Sequence, residues 1–254
     1  MKRATYSLLG LLLVASIFAV WPEPKADEPA RDLKRELRVL FIGNSLTFTN
    51  DLPAIVGALA EASNQGPFKY RTLAFPNFSL EDHWNQGEAK RVIADDKWDV
   101  VVLQQGPSGL EESRRLLIEH TRRFDKEIRA SGGKTALLMV WPSQARFADF
   151  DRVVESYRLA AGEVKGIILP VGEAWRKAWN RDARLGLYSP DRFHPSVTGS
   201  YLGALVVYEK LFGKSPLGLP SKLTLRSKSL SAIDIPQNDA RLLQLAAAEA
   251  NRKD

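Results

Sequence analysis

The chain has 254 residues, 44% of them hydrophobic, which suits one compact domain with a sizeable core. It has no cysteine, so disulfides, thiol chemistry, cysteine-ligated metal and a lipid-anchored cysteine are excluded. The formal charge of +6 is spread over mixed-sign stretches such as Arg114-Arg115 with Glu119 and Arg122-Arg123 with Asp125. Mixed charge of this kind marks solvated helix faces, and without a one-sided basic stripe carrying aromatics nucleic acid is not an expected partner.

In chain order, Lys2 and Arg3 precede an uncharged apolar run over 6–21, and Glu23, Asp27 and Glu28 follow it. Basic, then apolar, then acidic is the order of an export signal. The run is shorter than the roughly 20 residues that a spanning helix needs. Residues 1–21 therefore read as a signal peptide, with an uncleaved anchor as the alternative. Either way the domain is expected outside the cytoplasm, periplasmic, secreted or anchored, with membrane contact through this segment only. Residues 22–36 are rich in Pro, Glu and Lys and read as a linker.

From there strands and helices alternate. An apolar run over 37–42 predicts strand one. Asn50-Asp51-Leu52-Pro53 predicts a helix start with Pro early, the helix reaching about 63. Residues 68–75 predict strand two, 79–89 a helix, and the β-branched run 99–103 a strand covered on both faces. Leu117, Thr121, Phe124 and Ile128 form one helical stripe, closed by Gly132-Gly133. Residues 135–141 predict strand four, 147–164 a helix, 167–171 strand five, and a short helix follows through Trp175. The stretch 197–212 is apolar on most sides and predicts a buried helix ended by Gly213. Residues 214–236 show little periodicity, and 239–250 predict a terminal helix. Repeated β-α units of this length imply a parallel sheet with helices on both faces.

Two motifs carry chemistry. Gly43-Asn44-Ser45 ends the first strand and puts a hydroxyl at its carboxyl end, where open α/β sheets bind ligands. Asp191-Arg192-Phe193-His194-Pro195 lies near the end of the globular region. Serine is a poor nucleophile until a base takes its proton, and that base is commonly histidine. There are three histidines. His120 lies beside an apolar helical stripe and reads as structural. His83 opens a helix and is either packed or substrate-facing. His194 has Asp191 three positions earlier, a spacing that lets the carboxylate hold one ring nitrogen while the other faces a serine.

These two motifs resemble the first and last sequence blocks of the SGNH (GDSL-like) hydrolase family, and the likeness runs from about 37 to 213. The resemblance implies a flavodoxin-like three-layer α/β/α fold with a parallel five-stranded sheet, and leaves 214–254 as a C-terminal extension. It implies Ser45 as nucleophile, His194 as base and Asp191 as its orienting acid. In the second block, Asn77 of Pro76-Asn77-Phe78-Ser79-Leu80 stands where the family has a glycine whose N–H enters the oxyanion hole; the N–H of Ser45 is a second donor. The third block, usually Gly-x-Asn-Asp, reads here Gln104-Gln105-Gly106-Pro107-Ser108-Gly109. The usual asparagine amide is missing, and Gln104 is the first candidate to replace it, then Gln105, then Ser108. Asn44 stands where Asp is commoner.

The expected function is an exported serine esterase that needs no cofactor or metal and removes small acyl groups, acetyl above all, from a small or polymeric carbohydrate. Export and tryptophans near strand ends motivate the sugar: Trp84, beside His83, and Trp141 are placed where sugars could stack, with packing in the core as the favoured alternative for each. Two alternatives stay open. One is a carbohydrate-binding or scaffold module on a degenerate hydrolase fold, favoured by the altered inner blocks. The other is a lipid esterase or a polysaccharide acyltransferase. A nucleotide or flavin binder is opposed by the lack of a glycine-rich phosphate loop.

Overall fold

The structure, a computed structural model, describes residues 35–252. The expected leader over 1–21 and most of the linker lie outside the described residues.

Five strands form the central sheet: β1 (Leu37–Gly43), β2 (Phe68–Ala74), β3 (Val100–Leu103), β4 (Lys134–Leu138) and β5 (Ile167–Leu169). They run in the order β2-β1-β3-β4-β5, and every neighbouring pair is parallel. Composition explains the arrangement. Val39 through Gly43 and all of β3 are buried, so these strands need cover on both faces and carry continuous apolar runs.

Helices supply that cover in two groups. The first helices in the chain are α1 (Ser45–Phe48), α2 (Leu52–Ala62), α3 (Leu80–Gln86), α4 (Glu88–Asp95), α5 (Glu111–Ala130) and α6 (Phe150–Glu163). Then come α7 (Val171–Arg181), α8 (Val197–Phe212) and α9 (Gln237–Asn251). Helices α2, α7, α8 and α9 pack on one another, and α3, α4, α5 and α6 form the other set. The result is a three-layer α/β/α sandwich. Its sheet order reverses direction at β1 and β3, because the connection out of β1 leads to one side and β3 lies on the other. Such a reversal opens a crevice at the carboxyl ends of the two strands. Asn44 and Ser45 follow β1 there, and Gln104 and Gln105 follow β3.

Helix starts follow local chemistry. Asp51 accepts from the Ala54 N–H and Pro53 occupies the first turn of α2. Ser79 and Asp82 form a reciprocal capping box on α3. Ser196 caps α8 through the Gly199 N–H.

Strands four and five end earlier than expected, at Leu138 and Leu169, and four other elements differ from the sequence expectation. The helix expected over 79–89 is two helices, because Gly87 adopts φ 83° and ends α3 before α4 begins. Such a φ suits glycine and breaks a right-handed helix. The helix expected from 147 begins at Phe150. Residues Gln144–Asp149 form a 3₁₀ turn kinked at Arg146, whose guanidinium pairs with Asp149. Helix α7 continues past Trp175 to Arg181. Within 214–236, β6 (Lys222–Thr224) and β7 (Ala232–Asp234) form a small antiparallel hairpin. Among the described residues, no helix is long and apolar enough to cross a membrane.

Candidate active site

The turn after β1 is assembled by contacts that few residues permit. A Cβ on Gly43 would fall 2.4 Å from Gln104 Oε1 and 2.6 Å from Thr47 Oγ1, so a larger residue would push both away. Asn44 has extended backbone and caps α1, its Oδ1 accepting from the Leu46 N–H at 3.1 Å. Its Nδ2 donates to the Phe78 carbonyl at 2.9 Å, which ties the Ser45 turn to the loop after β2. Ser45 is then the first residue of α1, with its side chain at the crevice.

The second limb is the loop 189–195. It closes on itself through Ser189 N–H to the His194 carbonyl (2.8 Å) and a bridge between Tyr188 and Pro195. Arg192 takes a left-handed φ of 62° in the middle of the turn. Neighbours hold the loop from two sides. Trp141 Nε1 donates to the Phe193 carbonyl at 3.0 Å, and the Gln144 N–H donates to the Arg192 carbonyl at 2.9 Å. Asn50 Nδ2 donates to the Pro195 carbonyl at 3.0 Å. The Tyr188 hydroxyl donates to the Pro142 carbonyl at 2.6 Å, and burial pushes its pKa up to about 12, so it stays a donor.

These limbs bring three side chains together. His194 Nε2 lies 2.8 Å from Ser45 Oγ, and His194 Nδ1 lies 2.5 Å from Asp191 Oδ2. The other carboxylate oxygen accepts from Ser189 Oγ (2.7 Å) and from the N–H groups of Phe193 and His194 (both 2.9 Å). The hydrogen bond from His194, followed by those from Ser189 and Phe193, holds the Asp191 carboxyl well below the usual carboxylate range. Asp191 is therefore ionised at neutral pH, the form that accepts the imidazole N–H.

Asn77 adopts φ 62°, the left-handed conformation that asparagine tolerates better than most residues. The main-chain N–H groups of Asn77 and Ser45 have no hydrogen-bond partner among the described residues, and both residues line the same cleft. The cleft has a volume of about 550 Å³ and lies between the loop after β3 and the 3₁₀ turn before α6.

The glutamines behave differently from the sequence expectation. Gln104 is fully buried, and its Nε2 donates to Asn44 Oδ1 (2.9 Å) and to the Gln105 carbonyl (2.6 Å). Its Oε1 accepts from the Asn44 N–H (2.9 Å) and Thr47 Oγ1 (2.7 Å). With both amide hydrogens engaged inside the fold, Gln104 has none to offer an oxyanion, and the assignment is corrected. Gln105 and Ser108 do line the cleft, but Gln105 Nε2 donates to Ser108 Oγ (2.8 Å) and the Ser113 carbonyl (3.2 Å). Ser108 Oγ in turn donates to the Gly106 carbonyl at 3.0 Å.

Three candidate substrate contacts also need correction. His83 is fully buried against Phe75 and Phe78, and its Nε2 lies 2.8 Å from the Gly43 carbonyl, the geometry of a donated N–H. Burial pushes its pKa down, and Nδ1 has no partner. Trp84 packs edge-on against Phe124, with Lys90 over its ring, away from the cleft. Trp141 is buried and stacked on Trp175 at 3.7 Å, supporting the His194 loop from beneath. His120 is buried with Nδ1 3.0 Å from the Leu116 carbonyl, a structural placement. Among the described residues, no group of three or more His, Asp and Glu is placed to hold a metal ion.

Sequence reading missed the cleft walls, Phe78, Leu110, Leu116 and Val153 among them. They come from three separate segments, the loop after β2, the start of α5 and the start of α6, and carry no local signal. It also missed Tyr157, whose buried hydroxyl lies 2.6 Å from the Gln105 carbonyl and 3.1 Å from that of Gly106, fixing the loop after β3.

No protein-family model matches the chain, and no curated protein matches it. Solved structures do. A DUF4886 family protein from Bacteroides uniformis superposes with a TM-score of 0.67 at 21% identity, over 86% of this chain and 96% of that one. An SGNH hydrolase candidate from Slackia heliotrinireducens gives 0.60 at 26% identity, over 69% and 99%. An acetylxylan esterase from Geobacillus stearothermophilus gives 0.55 at 16% identity, over 69% and 94%. These likenesses show that the chain has the fold of the SGNH (GDSL-like) hydrolases.

Proposed function

We propose that the protein is a serine esterase that uses Ser45, His194 and Asp191. The observation that carries this reading is the unbroken line of contacts from Ser45 Oγ through the His194 ring to the Asp191 carboxylate. Ser45 Oγ attacks the ester carbonyl carbon as its proton passes to His194 Nε2. Asp191 holds the ring and stabilises the imidazolium. The oxygen of the tetrahedral intermediate points to the N–H groups of Ser45 and Asn77. The bond to the alcohol breaks, His194 gives its proton to the departing oxygen, and an acyl-serine remains. Water then attacks the acyl carbon and yields its proton to His194. Ser45 leaves, taking that proton back, and a carboxylic acid is released.

The expectation of acetyl groups on a carbohydrate rested partly on Trp84 and Trp141 as sugar platforms. With both rings packed elsewhere, the ester is better read from the cleft itself. Export through residues 1–21 remains part of this proposal, tested by the N-terminal sequence of protein recovered from cell fractions.

A fluorophosphonate tests the chemistry. Labelling at Ser45, located by mass and abolished in His194→Ala, is the expected result, with kcat/KM for a p-nitrophenyl ester falling by about 10⁴-fold or more in Ser45→Ala. A folded wild-type protein that takes no label overturns the reading and leaves a binding module on this fold.

A further inference from the structure

We infer that the cleft beside Ser45 holds an apolar acyl chain of several carbons, so that the preferred ester carries a medium-length acyl group instead of acetyl. The inference rests on the serine-esterase reading and extends it to the substrate.

Size is the first reason. A cleft of about 550 Å³ lies in the range that holds ligands of drug size, far more than an acetyl group needs. The second reason is the wall. Phe78, Pro107, Leu110, Leu116, Val153 and Phe193 face the space.

The polar lining gives the third reason. Asn44, Gln105 and Ser108 are committed to the bonds described above. Ser79 Oγ donates to Asp82 at 2.7 Å, and Ser113 Oγ donates to the Leu110 carbonyl at 3.0 Å. Asp149 is clamped between Arg146 and Arg152. The Asn77 amide and the Ser143 hydroxyl, which make no side-chain hydrogen bond among the described residues, are the side chains left to replace the water that a sugar would lose from its hydroxyls here, whereas a hydrocarbon chain loses nothing by the exchange.

The side of the ester follows from His194. The leaving alcohol must face that ring, whose side chain is 32% exposed, with Asp191 behind it at 49%. The alcohol therefore departs towards solvent, and the acyl chain takes the cleft.

The test uses the full chain and p-nitrophenyl acetate, butanoate, hexanoate and octanoate. Expected is a rise in kcat/KM of about tenfold or more from acetate to hexanoate, within the roughly fourfold per buried methylene that transfer allows. A Cβ on Gly106, which lines the cleft, would meet nothing within 4 Å, so Gly106→Leu starts into open space and is chosen to narrow the cleft. That variant should lower kcat/KM for hexanoate about tenfold and leave acetate within about threefold. Should it fail to fold, Leu110→Asp at the exposed rim places a charge beside the chain and should show the same selective loss. Acetate as the best wild-type substrate, or an equal loss on all esters in the variant, overturns the inference. Fluorophosphonate labelling run alongside separates the causes. A labelled Ser45 with acetate preference removes the chain-length inference alone, and an unlabelled Ser45 in folded protein removes both.

Discussion

Asn44 and Gln104, 60 positions apart, hold each other by two reciprocal hydrogen bonds: Asn44 N–H to Gln104 Oε1 and Gln104 Nε2 to Asn44 Oδ1, both 2.9 Å. This pair stitches the carboxyl ends of β1 and β3 together where the candidate nucleophile stands. Gln104 thus acts through the position of Ser45 and makes no contact with the cleft.

Replacing that strut should be felt in stability first. Gln104→Met keeps the volume and leaves the Asn44 N–H and the Thr47 hydroxyl without a partner in a buried site. Each buried group left unpaired costs about 1–3 kcal/mol, so unfolding in urea should show a loss of at least about 2 kcal/mol. Activity should fall with it. An unchanged denaturation midpoint would mean the glutamine does not brace the turn.

Asn77 separates a main-chain donor from a side-chain one. Asn77→Gly keeps the N–H and accepts φ 62°, so kcat should stay within about threefold of wild type. Asn77→Val also keeps the N–H but strains the left-handed backbone by about 1–2 kcal/mol, and kcat should fall about tenfold or more as the donor turns away. Equal loss in both variants would assign the role to the asparagine amide.

His83 makes stability depend on pH. Burial lowers its folded pKa below the unfolded value near 6.5, so the unfolded chain binds more protons between the two values. Its contribution is complete above about pH 6.5 and is lost as pH falls towards the folded value. Melting temperature should therefore decline from pH 7.5 to 5 more steeply in wild type than in His83→Gln. Parallel curves would show that His83 has no part in the acid loss.

Trp141 reaches the candidate base through the Phe193 carbonyl. Trp141→Phe removes that hydrogen bond, a loss of about 1 kcal/mol, and weakens the stack on Trp175. The loop carrying His194 should then be less well held, lowering kcat several-fold. KM should change little, because Trp141 does not line the cleft. A rise in KM at constant kcat would instead place the ring against substrate.

Legibility in the sequence followed the range of the forces involved. The β-branched run before Gln104 and the Leu117–Ile128 stripe appear in the fold as a buried strand and a buried helix face, because period and burial are written locally. The break at Gly87 was also local but easily missed, since one left-handed residue divides two helices of otherwise continuous pattern. The tryptophans misled because a large ring near a strand end has the same sequence signature whether it faces a cleft or the core. Gln104 misled for a related reason: an amide is a donor in any sequence, and only its neighbours decide who receives its hydrogens.

By itself the sequence determined an alternating α/β chain and the two turns that carry Ser45 and the Asp191/His194 pair, because backbone pattern and turn chemistry depend on adjacent residues. The tertiary structure alone decided that Ser45 Oγ and His194 Nε2 stand 2.8 Å apart, that Gln104 braces the turn, and that an apolar cleft opens beside it. Those facts depend on distances between segments separated by tens of residues, which packing of the sheet and its two helical layers sets and no local pattern records.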